Sequence, residues 1–413
     1  MPYTIDPKVT INGVEYKDKA INGVSLTNGR TTVDEQPRAG YATITLVTPD
    51  NSYPAIEIDQ KVVVQVDDST GTPVTIWTGW ISDVESKIAA YGEVGWLNEQ
   101  RITAVGSLTK LNRRLVGFNG YPKQFDGDRI YDIIKEGAGI TWATYSPPSD
   151  TWADVNSLLQ WQNTDILIGN IDRSGDFELV AYAGSASSAL GLAQAAAASG
   201  LGVLYESADG KINYSDYSSR TDDVAANGFT TIDTDAVLAN GLSSVSKLAD
   251  LANQVEVTYK NNQTEIDDEP TSIALYGLYA AKVNTLLEHD YDALQRVEYY
   301  LETRAFPRTR LNQITLALHL DQVSDVMRDS MLPMRVSKPI TIAGLPTSIY
   351  PETFSGFVEG YTWTISRNEL FLTLNVSEYA LSQLQMNWSQ VPPAEQWQTI
   401  SATLEWQEAR VVA

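Results

Sequence analysis

The sequence contains no cysteine in its 413 residues. Disulfide bonds, thiolate catalysis and cysteine-based metal sites are therefore excluded together, and the chain must be stabilised by packing or assembly. Histidine is almost as scarce, since His289 and His319 are the only two. Two histidines far apart in a chain without cysteine do not predict a zinc site. We expect both to lie at the surface or to be satisfied by ordinary partners.

Long apolar runs and catalytic motifs are also missing. No run reaches the roughly 18 apolar residues of a membrane-spanning helix, and the N-terminus lacks the charged and then apolar pattern of a secretion signal. The G-x-S-x-G, H-E-x-x-H and P-loop motifs are absent. Gly200-Leu201-Gly202 lacks the third glycine of a dinucleotide-binding fingerprint. We therefore expect no catalytic residue, no cofactor, no bound metal and no enzymatic activity.

Basic residues are few relative to acidic ones. The chain has 29 Lys and Arg against 52 Asp and Glu, a net charge of −23. Phosphate binding depends on clustered Lys and Arg, so we expect no sequence-specific nucleic-acid binding. The many carboxylates leave a pair for glycoside hydrolysis open, but no pair stands out. The run from Glu265 to Glu269 lacks the spacing of a calcium loop, and we predict an acidic surface loop there.

The most informative stretch runs from Thr353 to Tyr379. Two segments of alternating apolar and polar residues flank a polar turn there, a pattern that predicts a hairpin with one face on a core. The bulk composition, 43% hydrophobic and 20% charged, is that of a globular protein, and the length predicts two to four domains.

The same pattern occurs earlier in the chain. Thr78–Glu85 (TGWISDVE) aligns with Ser355–Thr362 (SGFVEGYT), and both begin with a hydroxyl residue, glycine, an aromatic and a β-branched residue. A β-rich segment precedes each, and a second alternating strand follows each. We predict a degenerate duplication in which Trp80 and Phe357 occupy corresponding places. The alternative is two unrelated hairpins that share ordinary strand patterns.

Changes in composition divide the chain into four predicted parts. Residues 1–115 are rich in short strands, with Asn-Gly turn signals at Asn12-Gly13 and Asn22-Gly23, and predict a first β-barrel domain. Residues 116–240 mix helices and strands. We predict a second β-barrel domain with helical insertions over residues 241–380 and a tryptophan-containing C-terminal arm over residues 381–413.

The middle part contains three local signals. Helical spacing predicts a helix over residues 129–136 that Gly137 and Gly139 end, and an alanine-rich helix over residues 181–200. Asp209-Gly210 predicts the turn of a hairpin. Together these signals predict a mixed α+β domain.

Three tryptophans, Trp388, Trp397 and Trp406, recur every nine residues in the C-terminal arm. Tryptophans so placed suit docking into a partner's pockets, stacking on sugars, or packing on the body of the protein itself. Pro392-Pro393 disfavours a continuous helix through the arm. The docking interpretation makes these three tryptophans the candidate site residues.

Several of these segments resemble minor tail proteins of long-tailed, siphovirus-type phages, particularly phages that infect actinobacteria. The segments are Thr32–Gly40 (TVDEQPRAG), Thr78–Val84 (TGWISDV), Phe354–Gly360 (FSGFVEG) and the hairpin around Ala208-Asp209-Gly210. That family is similar in turn to the baseplate hub of contractile tails and to the hub portion of type VI secretion spikes.

The resemblance implies a mainly β fold with α+β parts. Its components are two small hub-type β-barrels, a mixed α+β middle domain and a C-terminal extension. It also implies a homotrimer, because three chains with two barrels each give a ring of six that sits against a six-fold tail tube.

The function implied by the resemblance is structural. The chain is expected to be the hub of a phage tail tip or baseplate, which adapts the six-fold tube to a three-fold tip and surrounds the DNA exit path. Its expected partners are its own copies and neighbouring tail proteins, namely the distal tail or tail tube, the tape measure, and tip or fibre proteins. We expect it in the virion after synthesis in the host cytoplasm, with part of its acidity facing the channel. The alternative is a carbohydrate-binding host-adhesion protein.

Overall fold

The structure is a computed structural model. It describes Ile5 and residues 7–16, 21–48, 55–92, 95–138, 166–260, 262–350 and 353–379. The C-terminal arm lies outside these ranges, and with it the candidate docking residues Trp388, Trp397 and Trp406. Within the described ranges, no helix is long and apolar enough to cross a membrane.

Strands dominate both ends of the chain. The first region contains β1 (Lys8–Ile11), β2 (Val14–Tyr16), β3 (Ile21–Gly29), β4 (Arg38–Thr48), β5 (Lys61–Asp67), β6 (Pro73–Gly92) and β7 (Gly95–Val105). The last region contains β16 (Val237–Val245), β17 (Gln254–Tyr259), β18 (Gln263–Asp268), β19 (Ala280–Asn284), β20 (Arg310–Ala317), β21 (Pro339–Ala343), β22 (Thr353–Ile365) and β23 (Leu370–Glu378).

Short strands and helices fill the middle. The strands are β8 (Leu115–Val116), β9 (Gln124–Phe125), β10 (Leu167–Ile171), β11 (Glu178–Leu179), β12 (Ser187–Ser188), β13 (Val203–Glu206), β14 (Lys211–Ser215) and β15 (Thr230–Ile232). The described helices of the whole chain are α1 (Ser107–Asn112), α2 (Asp126–Ala138), α3 (Ala189–Ser199), α4 (Ser219–Asn227), α5 (Pro270–Tyr276), α6 (Asp290–Arg304) and α7 (Asp325–Met331).

Twelve strands from the two β-rich regions and β15 from the middle of the chain form one sheet of thirteen strands. Its main order is β16-β20-β23-β22-β3-β4-β7-β6-β5-β1-β2, while β21 also pairs with β22, and β15 with β21. No sheet within the described residues closes into a barrel. The predicted mainly β fold is confirmed. The two regions pair with each other at β22 and β3 rather than standing as separate sheets.

Period-two alternation places one row of each long strand on the main core. In β23, Leu370, Leu372 and Leu374 are fully buried and alternate with half-buried residues. Trp77 and Trp363 are at most 1% exposed in this core. Each large buried side chain of this kind stabilises the fold by about 1.5–3 kcal/mol relative to an exposed one.

A second core lies in the mixed part of the chain. Helices α2 and α3 face each other there, and the β13–β14 hairpin packs on them with Leu204 and Tyr214. Strand β17 and helix α6 bring Val255 and Val297 into the same cluster. The insertion that interrupts the last β-rich region therefore packs with the middle part of the chain.

The two Asn-Gly signals have different outcomes. Asn12-Gly13 forms the predicted turn between β1 and β2, and both residues have positive φ angles, of 47° and 81°. The turn predicted at Asn22-Gly23 is wrong, because both residues lie inside β3. The alternation that follows, which buries Val24 and Leu26 on the core, outweighs the local turn preference.

Three other local predictions need correction. Helix α2 forms and ends at Ala138, so Gly137 lies inside it rather than after it, while Gly139 lies outside the described residues. A Cβ on Gly137 would lie 2.9 Å from Leu111 of the packed neighbour α1, so close packing accounts for this glycine. The alanine-rich helix is shorter than predicted and begins at Ala189, where the Ser188 hydroxyl caps it by accepting from the backbone N–H of Gly191. The acidic run lies mostly in strand β18, paired with β17, and not in a loop.

Glu206 in β13 links the middle of the chain to the first β-rich region. Its side chain is 2% exposed and accepts hydrogen bonds from the backbone N–H groups of Gly40, at 3.0 Å, and Leu108, at 2.5 Å. Burial raises the pKa of this carboxyl from 4.5 to about 7, against the lowering effect of the two backbone hydrogen bonds. The Glu206 carboxyl therefore loses its proton at a lower pH in the unfolded chain than in the folded chain.

Raising the pH from about 4.5 to 7 is expected to lower the free energy of unfolding by roughly 3 kcal/mol through Glu206 alone. Glu206→Gln should flatten this part of the pH profile, because an amide does not ionise. Urea unfolding at several pH values measures the slope. Glu298→Gln, at an exposed position of α6, is the control and should keep the wild-type slope. A wild-type slope in Glu206→Gln would contradict the assignment.

Candidate assembly interface

The strand registers place Trp80 and Phe357 in corresponding positions, as the predicted duplication requires. Trp80 in β6 lies opposite Lys61 of β5 and Val105 of β7. Its counterpart Phe357 in β22 lies opposite Pro339 of β21 and Ser377 of β23. The three-stranded unit β5–β6–β7 and the unit β21–β22–β23 therefore have the same order, direction and register.

The glycine before each aromatic residue also has the same role. A Cβ on Gly79 would collide with the ring of Trp77 and lie 2.7 Å from the Val105 carbonyl oxygen. A Cβ on Gly356 would lie 2.6 Å from the Phe354 ring and collide with the carbonyl oxygen of Ser377, the residue that corresponds to Val105. In both units an aromatic ring two residues upstream covers the glycine, which explains why the sequence motif recurs.

A β-bulge occurs at the same place in both units. The register of β6 with β7 skips Ser82, and the register of β22 with β23 skips Glu359. The residue before each bulge bonds to a loop on the other side of the strand. The backbone N–H of Ile81 donates to the Gln60 carbonyl at 3.0 Å, and that of Val358 donates to the Lys338 carbonyl at 3.0 Å.

The correspondence extends to two further strands. Ile44 of β4 lies opposite Ile102 of β7, and Ile314 of β20 lies opposite Leu374 of β23. On the far side, β3 pairs with β4 as β16 pairs with β20, with Val24 opposite Ile44 and Leu242 opposite Ile314. We call β3–β4–β7–β6–β5 the first repeat and β16–β20–β23–β22–β21 the second repeat.

The two repeats meet where β22 pairs antiparallel with β3. Six register pairs run from Gly360–Gly29 to Ile365–Val24. On one face of this junction Trp363 and its partner Leu26 are fully buried in the core. On the other face the hydroxyl oxygens of Thr27 and Thr362 lie 3.1 Å apart.

The bulge residue Glu359 forms a buried charge cluster beside the junction. Its carboxylate is 0% exposed. Arg30 of the first repeat donates from Nε at 2.6 Å, Arg220 of α4 donates from Nη1 at 2.8 Å and Nη2 at 3.0 Å, and Ser377 donates at 2.5 Å. Burial alone would raise the pKa of Glu359, but Arg220 and Arg30 lower it to about 2. The cluster ties together both repeats and the middle of the chain.

Sequence reasoning missed this cluster, although one signal was present. Glu359 occupies the row of its strand that otherwise holds Phe357, Tyr361, Trp363 and Ile365. A carboxylate in an apolar row predicts a buried, paired charge. Its partners lie far away in sequence, so the pattern alone does not identify them.

The two histidines are satisfied by local partners, as predicted. His289 is half exposed, and its Nε2 lies 2.7 Å from a carboxylate oxygen of Glu178. His319 uses Nδ1 to accept from the backbone N–H of Leu370 at 3.3 Å.

Solved structures of phage tail proteins share this fold. The 43 kDa tail protein of prophage MuSo2 from Shewanella oneidensis aligns with 92% of this chain and 98% of its own, with a TM-score of 0.57 and 9% identity. A tail protein from Neisseria meningitidis aligns with 92% of this chain and 98% of its own, with a TM-score of 0.58 and 11% identity. No family model and no curated protein matches the chain. The chain therefore has the fold of phage tail proteins, in agreement with the resemblance seen in its sequence.

Proposed function

We propose that this protein is the structural hub of a phage tail tip or baseplate. The observation that supports this role is the internal duplication, in which one chain carries two β units of the same register. Three such chains present six similar units, so a three-fold tip contacts a six-fold tail tube through equivalent surfaces. The chain then resides in the virion beside tail-tube, tape-measure and tip or fibre proteins.

Each repeat corresponds, in this proposal, to one of the two hub-type barrels. The first repeat falls within residues 1–115, while the second begins with β16 at Val237, shortly before residue 241, and ends with β23 at Glu378. The mixed domain of residues 116–240 lies beside them, as the contacts of Glu206 and Arg220 illustrate. Strands from further copies would complete the enclosure that one chain leaves open.

The open face of the sheet is proposed to line the DNA exit path. Its described side chains include nine hydroxyl residues, namely Ser25, Thr27, Thr43, Thr45, Thr103, Thr315, Thr362, Thr364 and Thr373. Its charged side chains include Asp83, Glu85 and Glu99 beside Lys87 and Arg101. Few cations and many hydroxyls give DNA little to bind through counterion release. The acidity expected in the channel is thus proposed to be slight on the described part of this face.

The full chain is expected to form a trimer of about 136 kDa, three times the 45.4 kDa of one copy. Native mass spectrometry at high protein concentration measures this mass, because covering strand edges favours assembly. A stable dimer or hexamer would contradict the hub. A monomer that binds glycans as an isolated chain would favour the host-adhesion alternative instead.

We propose that Trp388, Trp397 and Trp406 of the arm dock on a neighbouring chain or tail protein. Removing the residues after Leu384 is therefore expected to leave the thermal unfolding midpoint of the body unchanged while reducing assembly. Circular dichroism and native mass spectrometry measure the two properties. Alanine at all three tryptophans in the full chain is the matched variant, and it should reproduce the assembly defect. A truncation that unfolds the body would make the arm part of its core.

A further inference from the structure

On one side of β6, the part of the strand after Ile81 has no partner among the described strands. On this side β5 pairs with Pro73–Trp80 only, while β7 pairs with the opposite edge from Trp80 to Gly92. In the described part of the chain, nothing pairs with the edge that follows Ile81 on the β5 side. In the second repeat the corresponding edge of β22, from Gly360 to Ile365, is occupied by β3.

Within the described residues, the second repeat also has an unpaired strand edge, on β16. Strand β3 has a neighbour on each side, β4 and β22. Its counterpart β16 lies at the end of the sheet and, among the described strands, pairs with β20 alone. A single copy thus makes one β22–β3 junction within the chain. It also has two strand edges without a described partner, on β6 and on β16, which correspond to the edges of β22 and β3 that pair in this junction.

We propose that β16 of one copy pairs with β6 of the next copy in the way that β3 pairs with β22 within the chain. The partner is a second copy of this chain, and the expected closure after three copies rests on the proposed hub function. Such head-to-tail pairing uses two different surfaces, so it closes into a ring only when the rotation allows. The ring leaves neither of these edges open to solvent or to aggregation.

The internal junction determines the register of the external one. Thr362 corresponds to Glu85, since they lie opposite Thr373 and Arg101 in the two units. Thr27 corresponds to Val245 when residues are counted along β3 and β16 from the equivalent Val24 and Leu242. The β16–β20 register shifts between Ser243 and Ser244, but the extra residue, Asn312, lies in β20 and leaves the count along β16 unchanged. In the proposed pairing, Glu85 of one copy therefore lies opposite Val245 of the next copy, as Thr362 lies opposite Thr27 within the chain.

The side chains along this register suit each other. At one end of the register, Ile88 and Leu242 are expected to lie opposite each other, in the places of the apolar pair Ile365 and Val24. Ile88 is 55% exposed in the single chain. Pairing would bury that exposed apolar surface.

At the other end of the register the pair Gly360–Gly29 becomes Asp83 opposite Lys247. The two glycines approach so closely that a Cβ on Gly29 would lie 2.5 Å from the Gly360 Cα. Strands with longer side chains must diverge there, and opposite charges span the wider gap.

Engineered cysteines test this register directly, because the natural chain has none. Glu85→Cys combined with Val245→Cys should form disulfides between copies under mild oxidation. The expected result on a non-reducing gel is a shift from 45.4 kDa to covalent products that end at three chains. Thr27→Cys with Thr362→Cys is the positive control, since those hydroxyls are 3.1 Å apart, and it should link within one chain. Glu85→Cys with Ser244→Cys, one residue out of register on the opposite face, should not link.

The outcomes separate this inference from the proposed function. A trimer by mass in which the Glu85–Val245 pair does not link overturns the strand pairing but leaves the hub. Linking that continues beyond three chains supports the pairing and rejects the three-fold ring. A chain that links only after the residues beyond Leu384 are removed shows that its own arm covers the edge, and this overturns the inference. Equal linking of the out-of-register pair also overturns it.

Discussion

Glu359→Gln is expected to lower the free energy of unfolding by about 3–5 kcal/mol, the cost of leaving buried charges unpaired. The carboxylate is completely buried and binds Arg30 and Arg220 at 2.6–3.0 Å. The amide keeps the shape of the side chain but removes the negative charge, so two guanidinium groups remain in the interior without a counter-ion. Chemical denaturation at pH 7 measures the change.

Glu359 is also expected to make the free energy of unfolding depend on pH, in the opposite direction from Glu206: its contribution is lost at low pH. Because Arg220 and Arg30 overcome the effect of burial and hold the pKa of Glu359 at about 2, against 4.5 unfolded, its contribution is complete above about pH 4.5. That contribution is lost as the pH falls through 2. Glu359→Gln should lack this acid-dependent loss, whereas the exposed Glu298→Gln should retain it. An unchanged stability in Glu359→Gln would mean that the cluster does not hold the repeats together.

Gly29→Ala is expected to lower the free energy of unfolding by about 2–5 kcal/mol, from backbone strain and overpacking together. Gly29 has a φ angle of +92°, and an added Cβ would lie 2.5 Å from both the Glu359 carbonyl oxygen and the Gly360 Cα. The substitution therefore forces β3 away from β22 at the end of their junction.

Gly23→Ala in the same strand is the matched control for this prediction. Its φ angle is not in the left-handed region, and the nearest atom to an added Cβ is the Ile365 carbonyl oxygen at 3.9 Å. Little change or a small gain in stability is expected there, because alanine restricts the unfolded chain. Equal effects at Gly29 and Gly23 in thermal unfolding would show that the close approach of β3 and β22 does not matter.

The duplication could be predicted from the sequence because its cause is local. The predicted motif of hydroxyl residue, glycine and aromatic follows another aromatic residue in both places, and that residue's ring covers the glycine, Trp77 over Gly79 and Phe354 over Gly356. Strand alternation similarly predicted the rows that form the core. Both the two-residue alternation of the strands and the need for glycine beneath a ring depend on residues that are close together in the sequence.

The joining of the two repeats could not be predicted in this way. Strands β3 and β22 are far apart in sequence, and any vacant edge satisfies the hydrogen bonds of any other strand. The partners of Glu359 are likewise set by tertiary packing and not by spacing. The Asn22-Gly23 turn failed for the same reason, since pairing on both sides of β3 outweighs a local preference.

A cryo-electron microscopy reconstruction of the assembled tail, made without imposed symmetry, tests the central claim most directly. The proposed hub predicts three copies of this chain at the tip and six β units around one opening, and the proposed strand pairing adds β16 of each copy beside β6 of the next. One or six copies at that site would contradict the hub, whereas a β6 edge that faces solvent or an unrelated protein would contradict the strand pairing alone.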